Sequence, residues 1–225
     1  MLFHMATKLS RMGFVLAGGK SSRMGANTDK AFLDIGGQTL LDRALTVMGA
    51  VCGSVTIVGD PAKFEKYGSS KQDSAKYGSV VADIFPGCGP LGGIHAALVY
   101  SSADLNLMLA VDMPFVSREL LAFLFAVAEN EDEDKAKDAS HAMVTVPRTS
   151  RGLQPLCAIY RRDFSAVAEQ ALRAGKCKID AAFSSASVRV IEEGELAAAG
   201  FSEQSFCNVN TPEDRLAAEG RTSAE

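Results

Sequence analysis

The sequence predicts an α/β fold: a doubly wound, mainly parallel sheet in a Rossmann-like three-layer α/β/α sandwich. Three observations carry that expectation. Short apolar runs alternate with segments of helical periodicity, the pattern of strands joined by crossover helices. The most apolar run, residues 105–111, reads as a strand buried on both faces and so takes a central place. At 225 residues and 47% hydrophobic, the chain suits one large domain with a real core.

Taken in order, residues 13–17 read as a short buried strand entering a loop. Residues 39–50 carry Leu40, Leu41, Ala44, Leu45, Val47 and Met48 at helical spacing. Residues 55–58 form a second strand, stopped by Gly59, Asp60 and Pro61, and residues 79–82 a third. A turn-rich stretch, 86–93, then opens an apolar helix ending near Tyr100. The central strand ends at Asp112, followed by Pro114. Residues 120–128 are helical, and the charged run 129–138 is a solvated loop or a helix end. Residues 143–146 and 156–160 read as strands separated by a polar loop, 147–154, and residues 164–174 as another helix. There is no internal repeat and no compositional break. The expected organisation is a leader, 1–12, a single domain, 13–219, and a polar, mobile tail, 220–225. One doubly wound sheet with a later antiparallel addition is the economical architecture.

The net charge of −4, with both signs interspersed, argues against a broad nucleic-acid footprint but leaves room for local cationic pockets. No apolar run reaches the roughly 18–20 residues that cross a bilayer. Residues 1–12 lack the apolar core of a secretory signal. A soluble, cytoplasmic protein with no nucleic-acid or membrane partner is expected. The cysteines, Cys52, Cys88, Cys157, Cys177 and Cys207, are odd in number, far apart and form no C-x-x-C pair. They are expected to be buried or half-buried free thiols in a reducing compartment.

The first strand runs into Leu16-Ala17-Gly18-Gly19-Lys20-Ser21-Ser22-Arg23-Met24-Gly25. A Walker loop, G-x-x-x-x-G-K-S/T, would need glycine where Phe14 stands, and the dinucleotide pattern G-x-G-x-x-G is absent. The segment still has the means to bind phosphate. Adjacent glycines let backbone N–H groups turn toward an anion. Lys20, Arg23 and Lys30 place three cations in a short span, balanced only by Asp29. Arginine clamps phosphate oxygens bidentately, and lysine acts as a movable point charge. A plain strand-to-loop connection with solvated basic residues is the alternative.

The stretch 16–25, followed by Asp29-Lys30-Ala31 and residues 36–41, resembles the signature of the molybdenum cofactor guanylyltransferases, L-A-G-G-x-S-x-R-M-G and then D-K. Three later segments are similar to motifs of the same family. Gly89-Pro90-Leu91-Gly92-Gly93-Ile94 looks like its G-P-L-x-G-I/M loop. Leu109-Ala110-Val111-Asp112-Met113-Pro114 resembles its strand end, D-x-P. Asn208-Val209-Asn210-Thr211-Pro212-Glu213-Asp214 resembles its closing N-x-N-T-P motif. The matches run in order from Leu16 to Asp214.

The resemblance implies a nucleotidyltransferase that joins GMP from GTP to the terminal phosphate of molybdopterin carrying molybdenum, and releases pyrophosphate. It implies magnesium as cofactor, with manganese as a substitute. It also implies other cofactor-biosynthesis or acceptor proteins as partners. Gly18-Gly19 looks like the guanylyl branch, since the cytidylyl branch more often reads L-A-A-G. A molybdopterin cytidylyltransferase, another nucleotidyltransferase of this fold, or a non-catalytic nucleotide-binding module that regulates a partner are the alternatives. Positioning and charge neutralisation would dominate catalysis, with no covalent nucleophile. A chain whose histidines are only His4, His95 and His141 fits that.

Carried onto this chain, the resemblance makes Arg23, Lys30 and Asp112 the catalytic residues. Leu16, Ala17, Gly18, Gly19, Arg23, Lys30, Asp83, Gly89, Pro90, Leu91 and Asp112 would bind the nucleotide, while Lys20 faces solvent. Asp112 stands at the carboxyl end of the central strand, where open α/β sheets place ligands, and suits a hard cation. Asn210 adds a metal oxygen ligand or holds a metal-bound water, or else caps the helix starting near Pro212. Asp83 accepts from guanine N1–H and N2–H₂, or caps a turn before Pro86. Gly89 to Gly93 let backbone approach the base or ribose. Lys176 and Lys178, after Gly175, hold the acceptor phosphate or form a solvated loop. Gln154-Pro155-Leu156 resembles the family segment before its later strand. The chain departs from the family after the second strand, where asparagine is common and Gly59-Asp60 stands here.

Overall fold

The structure, a computed structural model, describes residues 11–18, 29–64, 77–134 and 141–222. The first strand is β1 (Arg11–Leu16). Past a 3-10 turn, Lys30–Phe32, come the hairpin β2 (Asp34–Ile35) and β3 (Gln38–Thr39), then α1 (Leu40–Gly49). Next are β4 (Ser54–Val58), β5 (Tyr77–Val81), α2 (Gly89–Tyr100), β6 (Leu105–Ala110) and α3 (Arg118–Asp134). Then follow β7 (Val144–Thr149), β8 (Gly152–Leu153), β9 (Cys157–Arg161), α4 (Phe164–Arg173), α5 (Ile179–Phe183) and β10 (Val188–Ile191). The chain closes with α6 (Glu193–Ala198), a 3-10 turn at Glu203–Phe206, and α7 (Pro212–Thr222).

The main sheet has the order β10-β7-β9-β6-β1-β4-β5, with β8 paired to β7. β1 pairs in parallel with both β4 and β6, β4 with β5, and β10 with β7. Only β9 on that path runs against its neighbours, β6 and β7. This is the doubly wound, mainly parallel sheet with one late antiparallel strand that the sequence predicts. The chain winds from β1 outward through β4 to β5, then returns by α2 to lay β6 on the other side of β1. The order therefore reverses between β1 and β6, and a cleft opens at their carboxyl ends.

Successive strand residues face opposite helical layers. Val15, Ile57, Leu107 and Leu109 pack with α1, α3, α6 and α7, whereas Phe14, Val58 and Met108 pack with α2, α4 and α5. Every residue of β6 is buried, which is why it reads as an unbroken apolar run. Its one polar member, Asn106, donates to the carbonyls of Ala103, Asp104 and Tyr160 at 3.1–3.3 Å.

Several boundaries differ from expectation. Arg11 and Met12, assigned to the leader, belong to β1; Arg11 holds Glu129 of α3 at 2.6–2.8 Å and lies 4.5 Å from the Phe125 ring centroid. Gly220, assigned to the tail, lies within α7. The loop 147–154 contains the β7–β8 hairpin, its turn fixed by Gln154 N–H donating to Pro147 O at 2.8 Å. The thiols also need correction. Cys88 and Cys177 are joined in a disulfide across 89 residues of sequence, because α2 and α4 pack side by side and bring the two Cα atoms within 4.8 Å. Cys52 and Cys157 are buried thiols and Cys207 is half-buried; burial pushes the Cys157 thiol up to about 12.

Candidate active site

Beyond their last paired residues, β1 and β6 stay locked together. Val111 N–H donates to Leu16 O at 3.2 Å, Ala17 N–H to Val58 O at 2.9 Å, and Gly59 N–H to Val81 O at 2.9 Å. These bonds hold Ala17 and Gly18 on one side of the cleft and Asp112 on the other. Gly59 is pressed against Ala17 and Phe64: a Cβ there would lie 2.9 Å from the Phe64 ring. That packing gives a physical reason for the departure from asparagine.

Asp112 is half-buried and receives two donors. Its Oδ1 accepts from Asn208 Nδ2 at 2.8 Å, and its Oδ2 pairs with Lys30 Nζ at 3.0 Å. Lys30 also donates to Asn210 Oδ1. Residues 82 and 180 positions from Lys30 in sequence thus converge on one ammonium group. Lys30 is aimed by its own turn: Asp29 caps it, accepting from Ala31 N–H at 3.2 Å, and pairs with Lys63 at 3.3 Å.

The closing motif supplies the other wall. Val209 is buried, and its N–H donates to Asp112 O at 2.9 Å. Thr211 and Asp214 form the reciprocal cap that starts α7. Asp214 N–H donates to Thr211 Oγ1 at 3.1 Å, and Asp214 Oδ2 accepts from the N–H groups of Thr211 and Asn210 at 2.9 and 2.8 Å. Those backbone donors, Asn210 first, hold the Asp214 carboxyl below its ordinary range, with the Lys30 charge adding to the effect. Capping is therefore the work of Thr211 and Asp214, and the Asn210 side chain is left for Lys30. Asn208 received no role from the sequence; its place in the N-x-N pattern was the only signal.

Asp83 lies past β5, against the first turn of α2. A Cβ on Gly93 would lie 3.6 Å from its Oδ1, in ordinary contact, whereas one on Gly92 would press on Phe85 O at 3.0 Å, so Gly92 lets the first turn of α2 close on the segment that carries Asp83. Its Oδ1 is buried and accepts no hydrogen bond, and desolvation raises its pKa. The helix itself begins inside the glycine-rich loop, at Gly89, whose φ of +58° is left-handed. Pro90 is exposed, while the Leu91 side chain is fully buried in the core.

Gly19, Lys20 and Arg23 lie outside the described residues. Gln154 folds back on its hairpin, donating to Thr149 Oγ1 at 3.0 Å. Lys176 and Lys178 are exposed, on a turn that the Cys88–Cys177 bond holds beside the start of α2. A separate cavity of about 570 Å³, lined among others by Thr149, Arg151, Leu196, Phe201, Glu203 and Cys207, includes none of the residues that surround Asp112.

The donor set suits a hard divalent cation. One carboxylate and one amide oxygen, Asp112 and Asn210, are the oxygen types such an ion takes alongside phosphate, and both accept from the Lys30 ammonium. An ammonium group from the β1 side beside a carboxylate at the end of β6 suits charge neutralisation on phosphate. Such a site at the switch point of this sheet defines a nucleotidyltransferase.

The chain belongs to the MobA-like NTP transferase domain family, whose model matches residues 13–188. It is 35% identical over 211 residues to a probable molybdenum cofactor guanylyltransferase of Pelotomaculum thermopropionicum, covering 93% of this chain and 92% of that protein. It is 32% identical to the molybdenum cofactor guanylyltransferase of Desulfosudis oleivorans, covering 94% and 96%. Among solved structures it is similar to molybdopterin-guanine dinucleotide biosynthesis protein A from Archaeoglobus fulgidus, with a TM-score of 0.77, 26% identity, and 95% and 100% coverage.

Proposed function

We propose that this protein transfers GMP from GTP to the terminal phosphate of molybdopterin carrying molybdenum and releases pyrophosphate. The observation that carries the reading is the convergence of Lys30, Asp112 and Asn210 at the carboxyl ends of β1 and β6. In the reaction an acceptor phosphate oxygen attacks the α-phosphorus, the bond to the bridging oxygen breaks, and pyrophosphate leaves. Both reactants are anions, so the barrier falls mainly through positioning and neutralisation. Magnesium, or manganese in its place, would be held by Asp112 and Asn210 and would neutralise phosphate oxygens when bound.

The chain's own residues do the rest. Lys30 exchanges its Asp112 partner for triphosphate oxygens and meets the charge that grows as pyrophosphate departs. Arg23 clamps the same phosphates. The Gly18 and Gly19 N–H groups meet the phosphates without Cβ obstruction, and the backbone of Leu16 and Ala17, with the Ala17 N–H held by Val58 O, leads into them. Asn208 keeps the Asp112 carboxylate turned toward the cleft. Asp83, with one oxygen lacking a donor, accepts from the N1–H and N2–H₂ edge of guanine, and the Gly89 to Leu91 backbone borders the base.

Incubation with α-labelled GTP, magnesium and molybdopterin tests the reading. Label in a pterin product is expected; label recovered only in unreacted GTP contradicts it. Base choice is read by thermal shift with GTP, CTP and UTP plus magnesium, and stronger stabilisation by CTP would overturn the guanine assignment.

A further inference from the structure

The Cys88–Cys177 bond joins the glycine-rich start of α2 to the turn after α4. Cys88 is the N-cap of α2, directly before Gly89-Pro90-Leu91, and makes no side-chain cap hydrogen bond. Cys177 stands between Lys176 and Lys178, on the turn past Gly175, whose φ is +73°. The N-terminus of α2 adjoins Cys88, and the exposed Lys176 and Lys178 flank Cys177 in sequence. Both residues are only partly buried, so a small reagent can reach them. A Cα–Cα distance of 4.8 Å lets them pair with neither backbone displaced.

We propose that Cys88 and Cys177 form a reversible thiol–disulfide switch that ties the nucleotide-side loop to the acceptor-side turn. The inference rests on the guanylyl transfer proposed above and takes the exposed Lys176 and Lys178 as the residues that meet the acceptor phosphate. Oxidation proceeds by exchange with a low-molecular-weight disulfide such as oxidised glutathione. One protein thiolate attacks it and displaces a glutathione thiolate; the second protein thiolate then attacks the mixed disulfide and displaces the other. Two protein thiols are oxidised, one glutathione disulfide is reduced to two thiols, and the protons balance. Once tied to α2, the turn cannot move to admit the acceptor phosphate. In the reduced state it can.

The test uses the full chain, treated with oxidised glutathione or with dithiothreitol, alkylated and analysed by mass spectrometry. The oxidised sample should carry two fewer alkylated thiols and one linked peptide pair holding Cys88 and Cys177, reversed by dithiothreitol. Amide exchange over residues 86–93 and 174–178 should slow on oxidation. Oxidation should lower kcat/KM for the acceptor at least about tenfold while GTP Kd stays within about twofold. Cys88→Ser and Cys177→Ser should keep the reduced rate under both treatments. Alkylation of both cysteines after oxidation overturns the proposal, as does a linked pair with unchanged exchange and rate. Equal loss in the serine variants would move the effect to another thiol and also overturn it. If the reduced protein transfers no GMP, the function proposed above fails, and the linked peptide and amide exchange still decide the switch.

Discussion

At the scale of single residues, the site depends on where charges are put and on what is left without a partner. Lys30 has its ammonium among oxygens of Asp112 and Asn210 and only part of its surface exposed. Lys30→Ala should cost at least about tenfold in transfer rate, on the order of 1.4 kcal/mol of transition-state stabilisation. Steady-state assays check this, and an unchanged rate would remove Lys30 from the mechanism. Asp83 makes a prediction about pH. Desolvation raises its folded pKa, so the stability it contributes is present in acid and is lost as pH rises through that value. Asp83→Asn should therefore raise Tm at neutral pH. The gain should fade as pH falls through the folded value and be gone below about 3, where the carboxyl is protonated in either state. The same variant should weaken GTP binding at neutral pH. A Tm difference independent of pH would show that the carboxylate is not desolvated.

Among the elements, helix α7 matters because its cap also orients Asn210. Asp214 binds the Asn210 and Thr211 N–H groups while Thr211 Oγ1 receives Asp214 N–H. Thr211→Ala should cost about 1 kcal/mol of stability by urea unfolding. It should also slow transfer, because Asn210 loses its fixed start. Lower stability with an unaltered rate would separate the cap from the site. The same motif marks how far the sequence could be read. Strands β1, β4 and β6 were legible because burial on both faces writes them as apolar runs. The β2–β3 hairpin and β8 were not, since two-residue strands leave no period to detect. Strand β10 was missed because it is half-exposed and carries Arg189 between Val188 and Val190. In the site, Asp112 could be found from its place after the central strand. The hold of Asn208 on Asp112 could not, because contact across 96 residues is set by the fold and not by spacing. Nor could the pairing of Cys88 with Cys177.

The whole molecule supplies a rigid frame for a cleft where strand order reverses. Residues far apart in sequence meet there because β1 and β6 are paired neighbours along six residues and both faces of the sheet are covered. Leu109, fully buried three residues before Asp112, belongs to that frame. Leu109→Ala should cost about 2–5 kcal/mol in urea unfolding. A much smaller loss would mean that the sheet beneath the site is looser than its packing indicates.

The central claim is that Lys30 and Asp112 work as one unit across the cleft. A double-mutant cycle on transfer rate with Lys30→Ala, Asp112→Ala and the combined variant tests it most directly. The account predicts that Asp112→Ala alone loses about as much as the double variant, since residues acting together lose their effect together. Losses that simply multiply, or normal pyrophosphate release by Asp112→Ala, would contradict it.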